Sequence, residues 1–346
     1  MAIATTAGPL PIEGRRTEPI YIWSAIGIFF LLLQIYVYGG WILSEDFKPS
    51  NPGTDVMPAY TAFLAVFFQF SNVALAVGVL TYAVRTCRRE GRVTIALLFV
   101  LAWLTTLWVD PLANYFRLVY TYNSHMINFG SWANFVPGWI MPRGNLIAEP
   151  IVFLVGAYVS IIPLQCWFMA WTMRLAKARW PGITTLGLVG ICFLGGFTTD
   201  LIIEGAWVRM GLYVFSGTVH SWSLFGGEWY QFPLYNSIFW GGVLTMGACL
   251  WYFRDDKGQT FVEVGMDRIS SPVTRNFLRF AAIAAVLNIS YLLFAIAIAM
   301  GIVSFQMDAT PALPSYLTNE ICGAGTPYPC PGPEVHVPLP ESGPLQ

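Results

Sequence analysis

Residues 19–44 read PIYIWSAIGIFFLLLQIYVYGGWILS, a run with no charged side chain anywhere in it. At 1.5 Å per residue, about 20 apolar residues cross the roughly 30 Å of hydrocarbon in a bilayer, so this stretch predicts a transmembrane helix. Six more stretches share the pattern: 56–84, 93–109, 150–173, 180–199, 229–253 and 280–307 are each free of charge. The whole chain is 56% hydrophobic and 11% charged, where a soluble domain carries about 25% charged residues. The expected fold class is all-α: a polytopic bundle of about seven transmembrane helices, multi-pass in the cell membrane.

Lys and Arg set the expected orientation, because basic residues accumulate in cytoplasmic loops. With the N-terminus inside, all but four of the 18 basic residues fall on inner segments; Lys48, Arg117, Arg143 and Arg209 remain outside. Residues 1–18 are then a cytoplasmic tail, 19–307 the transmembrane domain, and 308–346 an extracytoplasmic tail rich in Pro and Gly. The first 18 residues hold no separate apolar core and no small-residue cleavage site, so the first helix itself is expected to target the chain. Cys322 and Cys330, eight apart in the outer tail, are expected to pair as a disulfide in an oxidising compartment. Two free thiols in an extended segment are the alternative, since proline dominates from Pro327 onward.

Four carboxylates, Asp110, Glu149, Asp200 and Glu204, stand at the outer ends of these runs. Ionisable groups at membrane depth are costly and mark function. Asp110 and Glu149 each precede a proline, which suits the first turn of a helix, so a capping role competes with a catalytic one for both. Asp200 and Glu204 lie four apart and share a face if the helix continues through them. Two carboxylates so placed in a low dielectric share a proton, which sets an acid beside its conjugate base and suits general acid/base catalysis. The competing reading has the helix emerging by Asp200, with both groups hydrated and neutralised by Arg209 or Arg117.

The outer connections 110–149 and 200–231 are rich in Trp, Tyr, Phe, Asn and Gly. Aromatic rings keep one face dry and one edge wet, so this mixture suits the membrane interface and the roof of a cavity. Asn114, Asn123, Asn128 and Asn236 are candidates to bind substrate hydroxyl or carbonyl groups, and Tyr115, Tyr122 and Trp132 to shape the pocket. Loop asparagines also commonly bond their own backbone.

Absences narrow the chemistry. With only His125, His220 and His336, neither a histidine-rich di-iron site nor two bis-histidine haems can be built. The seventh run has no lysine for a retinal Schiff base. There is no phosphate loop, dinucleotide fingerprint or GxSxG elbow, and a net charge of −1 gives no reason to expect nucleic acid. No cofactor and no metal are expected; the expected partners are the lipid bilayer and a lipophilic small molecule.

Several segments together resemble one family. They are WVDPLANYF at 108–116, YNSHMINFGSWANFVPGW at 122–139, AEP at 148–150, KARWP at 177–181, GICF at 190–193, the pair Asp200 and Glu204, FPLYN at 232–236, YFRDDKG at 252–258 and ICGAGTPYPCPGP at 321–333. In order and over most of the chain they are similar to the AveC-like spirocyclases of actinobacteria. The resemblance implies a membrane protein that closes the spiroketal of a polyketide and influences a dehydration in the same ring system. Spiroketal formation needs a carbonyl oxygen protonated, two hydroxyls delivered to one carbon and one water expelled, for which an adjacent acid and base suffice. The expected catalytic pair is Asp200 and Glu204, with Asp110 and Glu149 as further candidates. Two rival uses of membrane carboxylates remain: proton-initiated isoprenoid cyclisation, with aromatic rings stabilising a carbocation, and a proton relay in a transporter or lipid-binding protein.

Overall fold

The computed structural model describes residues 18–300 and 307–335. Residues 1–17 of the N-terminal tail, with Arg15 and Arg16, residues 301–306 of the seventh run and His336 lie outside the described residues. The chain is all-α in the main, with eight helices longer than one turn among the described residues: α1 (Pro19–Ile42), α2 (Ala59–Glu90), α3 (Ile95–Leu104), α4 (Ile151–Val159), α5 (Ile161–Arg179), α6 (Thr185–Arg209), α7 (Leu234–Tyr252) and α8 (Pro272–Met300). Six segments are long and apolar enough to cross a membrane, counting α3 with the turn after it and α4 with α5 as single spans. The sixth predicted run forms α7 but is not among those six. Asn236, Ser237, Thr245 and several Gly, Tyr and Trp residues dilute its hydropathy, and much of it is buried among its neighbours.

Two predicted spans are broken, and both breaks shape the site. After α3 the chain tightens into a 3-10 segment, Leu107–Asn114. There the hydroxyls of Thr105 and Thr106 bond back to the carbonyls of Ala102 and Trp103, and Pro111 offers no N–H. The segment is pinned to α8 by Asn288, whose Oδ1 accepts the Trp108 indole N–H at 2.7 Å and whose amide donates to Thr105 at 3.0 Å. The fourth run breaks at Ser160, with φ −124° and ψ −66°. Pro163 removes the N–H that would have bonded Val159, and the Ser160 hydroxyl turns back to Gly156.

Small residues set the closest helix contacts, as expected where lipid leaves packing to hold helices together. A Cβ on Gly27 of α1 would lie 1.8 Å from the Ala281 carbonyl oxygen of α8, and Ala281, Ala282, Ala284 and Ala285 are fully buried. Gly27→Val is therefore expected to force backbones apart and cost about 1–3 kcal/mol or more, read as lower melting in detergent; a variant as stable as wild type would contradict this contact. Gly196 of α6 and Gly241 of α7 make a second close approach, each meeting the other helix's backbone within about 3 Å of an added Cβ. One turn on from Gly196 stands Asp200, and one turn before Gly241 stands Ser237. The glycine contact thus presses the carboxylate face of α6 against the polar start of α7.

The connections at 110–149 and 210–233 carry the only strands among the described residues. β1 (Tyr120–Tyr122) pairs antiparallel with β2 (Tyr213–Phe215), and β3 (Ser223–Leu224) with β4 (Phe232–Pro233). The segment after residue 307 packs over this roof. Thr121 donates to the Leu317 carbonyl, Ser124 to Tyr316 O at 3.0 Å, and Asn319 to Tyr122 O at 3.3 Å. Cys322 and Cys330 are joined by a disulfide within that segment.

Candidate active site

Strand periodicity builds the roof of the site. Side chains two apart on a strand share a face, so Tyr120 and Tyr122 of β1 and Tyr213 and Phe215 of β2 all turn toward the bundle. Register sets Tyr122 opposite Tyr213, with ring centroids 5.5 Å apart. Beneath these four rings lies a narrow cavity of about 80 Å³. Its walls come from α4 to α8, and Asp110, Asp200, Glu204 and Asn236 are among the polar groups that line it.

The two carboxylates of α6 have opposite surroundings. Glu204 Oε2 accepts the Tyr213 O–H at 2.8 Å and the Asn236 amide at 2.9 Å. Asp200 has no exposed surface, and neither of its oxygens accepts a hydrogen bond of ordinary geometry; the Glu204 carboxyl, the Ser237 hydroxyl and the Asn236 amide are its neighbours. A buried carboxylate without donors is costly, whereas one that receives two N–H or O–H bonds is stabilised in its charged form. Glu204 therefore receives the donors of this pair and Asp200 does not. Helix α6 runs on through Asp200 to Arg209, and no described basic side chain forms an ion pair with either group. Arg209 instead lies over the Tyr230 ring at 3.7 Å.

Asp110 is the hub of a tyrosine cluster. Tyr122 donates to its Oδ2 at 2.9 Å, Tyr158 and Tyr291 to its Oδ1 at 2.7 and 3.0 Å, and the Tyr158 and Tyr291 oxygens lie 2.6 Å apart. Tyr120 bonds the Asp110 main-chain carbonyl. Asp110 caps no helix: it lies inside the 3-10 segment, where its carboxylate receives phenols. Burial, and then the negative charge of Asp110, push the Tyr122 phenol far up, and burial with the charge of Glu204 does the same to Tyr213. Both remain neutral donors at any physiological pH.

Glu149 is 1% exposed, lies beside Asp110, does not line the cavity, and has no hydrogen bond of ordinary geometry on either oxygen. It caps nothing either, since α4 begins after Pro150 without a side-chain cap. Burial, reinforced by Asp110, holds its carboxyl well above the usual glutamate range. Its contribution to stability is full below the unfolded value of about 4.3 and declines as pH rises toward the elevated folded value. Glu149→Gln, which mimics the protonated form, is expected to flatten the fall in melting temperature between pH 5 and 8; a slope equal to wild type would contradict a neutral Glu149.

Asp110 with Glu149 and Glu204 with Asp200 thus repeat one pattern, a donor-rich carboxylate beside a donor-poor carboxyl. Only the second pair has both members on the cavity. Of the residues expected to bind substrate, Tyr122 and Asn236 line it. The others are engaged within the connecting segments. Asn114 Oδ1 accepts the amides of Val119 and Tyr120, Asn123 bonds Gly211 O, Asn128 receives Ser50 N and Gly130 N, Tyr115 bonds Gly138 O, and the Trp132 indole donates to Trp108 O. Loop asparagines here serve their own backbone. Sequence reasoning missed Tyr120, Tyr158, Tyr213 and Tyr291. The alternating YTY and YVF triplets signalled the strand tyrosines, and Asn288 with Tyr291, three apart on one helix face in an apolar run, signalled a buried polar layer.

A search of curated proteins and a search of solved structures return no match. A family model, Spirocyclase AveC-like, matches residues 88–315. That range runs from the end of α2 to the segment over the roof and takes in the cavity and all four carboxylates, and the chain belongs to the AveC-like spirocyclase family.

Proposed function

We propose that the protein is a membrane-embedded cyclase that closes a spiroketal by acid/base dehydration of a lipophilic dihydroxyketone, with Asp200 as general acid and Glu204 as general base. The observation that carries this is the unequal hydrogen bonding of two carboxyl groups four residues apart on one cavity wall: Glu204 accepts two donors and Asp200 none. Asp200 gives its proton to the ketone oxygen while Glu204 takes one from the attacking hydroxyl, which yields a hemiketal. Protonation of the hemiketal hydroxyl expels water, and the second hydroxyl adds to the oxocarbenium carbon and gives up its proton, which restores the pair. Net loss is one water.

Positive charge develops on carbon as water leaves, and an acceptor already oriented costs no rearrangement at that moment. Asp110, fixed by its tyrosines, supplies negative potential from another wall of the cavity, and the rings of Tyr120, Tyr213, Trp207 and Trp240 line it, within reach of a developing cation. The narrow cavity suits the reacting keto-diol segment of a larger molecule. Such closure also proceeds slowly in acid alone, so the protein's contribution is orientation and choice of face. An apolar substrate would reach the cavity from the bilayer, and the cell membrane is the proposed location.

Purified protein in lipid nanodiscs, offered a lipophilic dihydroxyketone, is expected to give the spiroketal faster than empty nanodiscs and with one configuration in excess. An equal rate and a racemic product would remove the proposal. Formation of an isomer without loss of water would favour isoprenoid-type cyclisation instead.

A further inference from the structure

At the end of the bundle opposite the carboxylates, the last turn of α2, the start of the next segment, the 254–271 connection and the first turns of α8 surround an open groove of about 850 Å³. Arg88, Arg92, Lys257, Arg275 and Arg279 line it. The nearby acids are already engaged: Glu90 with Arg92 at 3.0 Å, Asp267 with Lys257 at 2.9 Å, and buried Glu263 with Arg279 at 2.7 Å. Asp267 also lines the groove and lies in the field of Arg275, but Arg88 and Arg275 form no ion pair among the described residues, and five cations outnumber the three engaged acids.

Its depth relative to a bilayer follows from length. α2 has 32 residues and α8 has 29, so at 1.5 Å per residue they measure about 48 and 44 Å, well beyond roughly 30 Å of hydrocarbon. Helices this long overhang the hydrocarbon, and the charge of the groove between their ends suits the headgroup layer. Side-chain exposure agrees: Val273 and Phe277 are 80% and 48% exposed and alternate along α8 with Arg275 and Arg279, and Phe261 on the connection is 51% exposed. Exposed apolar residues interleaved with cations are placed for acyl chains on one side and phosphates on the other.

We propose that this groove binds a phosphate-bearing anion, the headgroup of an anionic phospholipid, held between Arg88 and Arg275. A guanidinium fork matches two phosphate oxygens, and Arg92, Lys257 and Arg279 add long-range attraction. The site is separate from the carboxylate cavity and does not depend on the reaction assigned there.

Full-length protein in phosphatidylcholine nanodiscs is titrated with short-chain phosphatidylglycerol, and binding is read by native mass spectrometry. Wild type is expected to bind saturably. Arg88→Gln/Arg275→Gln is expected to bind about 25-fold more weakly, from roughly fivefold per cation at the membrane surface. Arg88→Lys/Arg275→Lys should recover part of the loss. The same titration with inorganic phosphate separates the sources: binding of the lipid alone supports a headgroup site, and arginine-dependent binding of inorganic phosphate supports the same phosphate site filled from solution. Equal phosphatidylglycerol affinity in wild type and the glutamine variant, or no preference over phosphatidylcholine, would overturn the proposal.

Discussion

Asp200→Asn and Glu204→Gln are each expected to slow ring closure by about 10²- to 10⁴-fold, the usual contribution of a positioned general acid or base. Both substitutions preserve shape. Asparagine at 200 can still donate a hydrogen bond but cannot release a proton to the departing oxygen. Glutamine at 204 can still accept from Tyr213 and Asn236 but cannot take the proton of an attacking hydroxyl. Groups that act as a unit lose little more when both are removed, so the double variant should be no slower than the worse single. Melting temperature, measured alongside turnover, separates lost chemistry from lost fold. Wild-type rates in either single variant, or losses that multiply in the double, would take this pair out of the reaction.

Asp110→Ala is expected to have the largest effect on stability. It removes the acceptor of Tyr122, Tyr158 and Tyr291 at once, and a buried donor left unsatisfied costs about 1–3 kcal/mol. Tyr158 and Tyr291 can still bond each other, so the net cost is about 3 kcal/mol. Asp110→Asn keeps one acceptor and should lose less stability, while its activity falls because the negative potential facing the developing cation is gone. Unfolding in detergent checks the first outcome and turnover the second. An Asp110→Ala protein that melts with wild type would show that the tyrosines are held by something else.

The helical fold was legible because uncharged runs of transmembrane length carry a strong physical signal, and 19–44, 56–84 and 180–199 each correspond to a helix in the structure. The breaks were harder to read. At Thr105 and Ser160 side-chain hydroxyls compete with backbone bonds, and hydropathy is blind to that competition. The pair on α6 was legible from its four-residue spacing, since α6 continues to Arg209 and keeps both groups on one face. Their unequal hydrogen bonding was not, because it depends on Tyr213 and Asn236, which other elements bring in. Tyr158 and Tyr291 escaped for the same reason: each looks like an ordinary aromatic in an apolar helix until the fold sets it against Asp110. Asn114, Asn123 and Asn128 had the composition of a binding surface but the local geometry of turns.

Mass spectrometry of lipid extracts tests the central claim most directly, with host cells that carry the wild-type chain, Glu204→Gln, Asp200→Asn, or no copy. Dehydrative closure by this pair predicts one metabolite lost in all three altered strains and replaced by a species heavier by one water. A metabolite set identical in wild type and in the two carboxylate variants would contradict it.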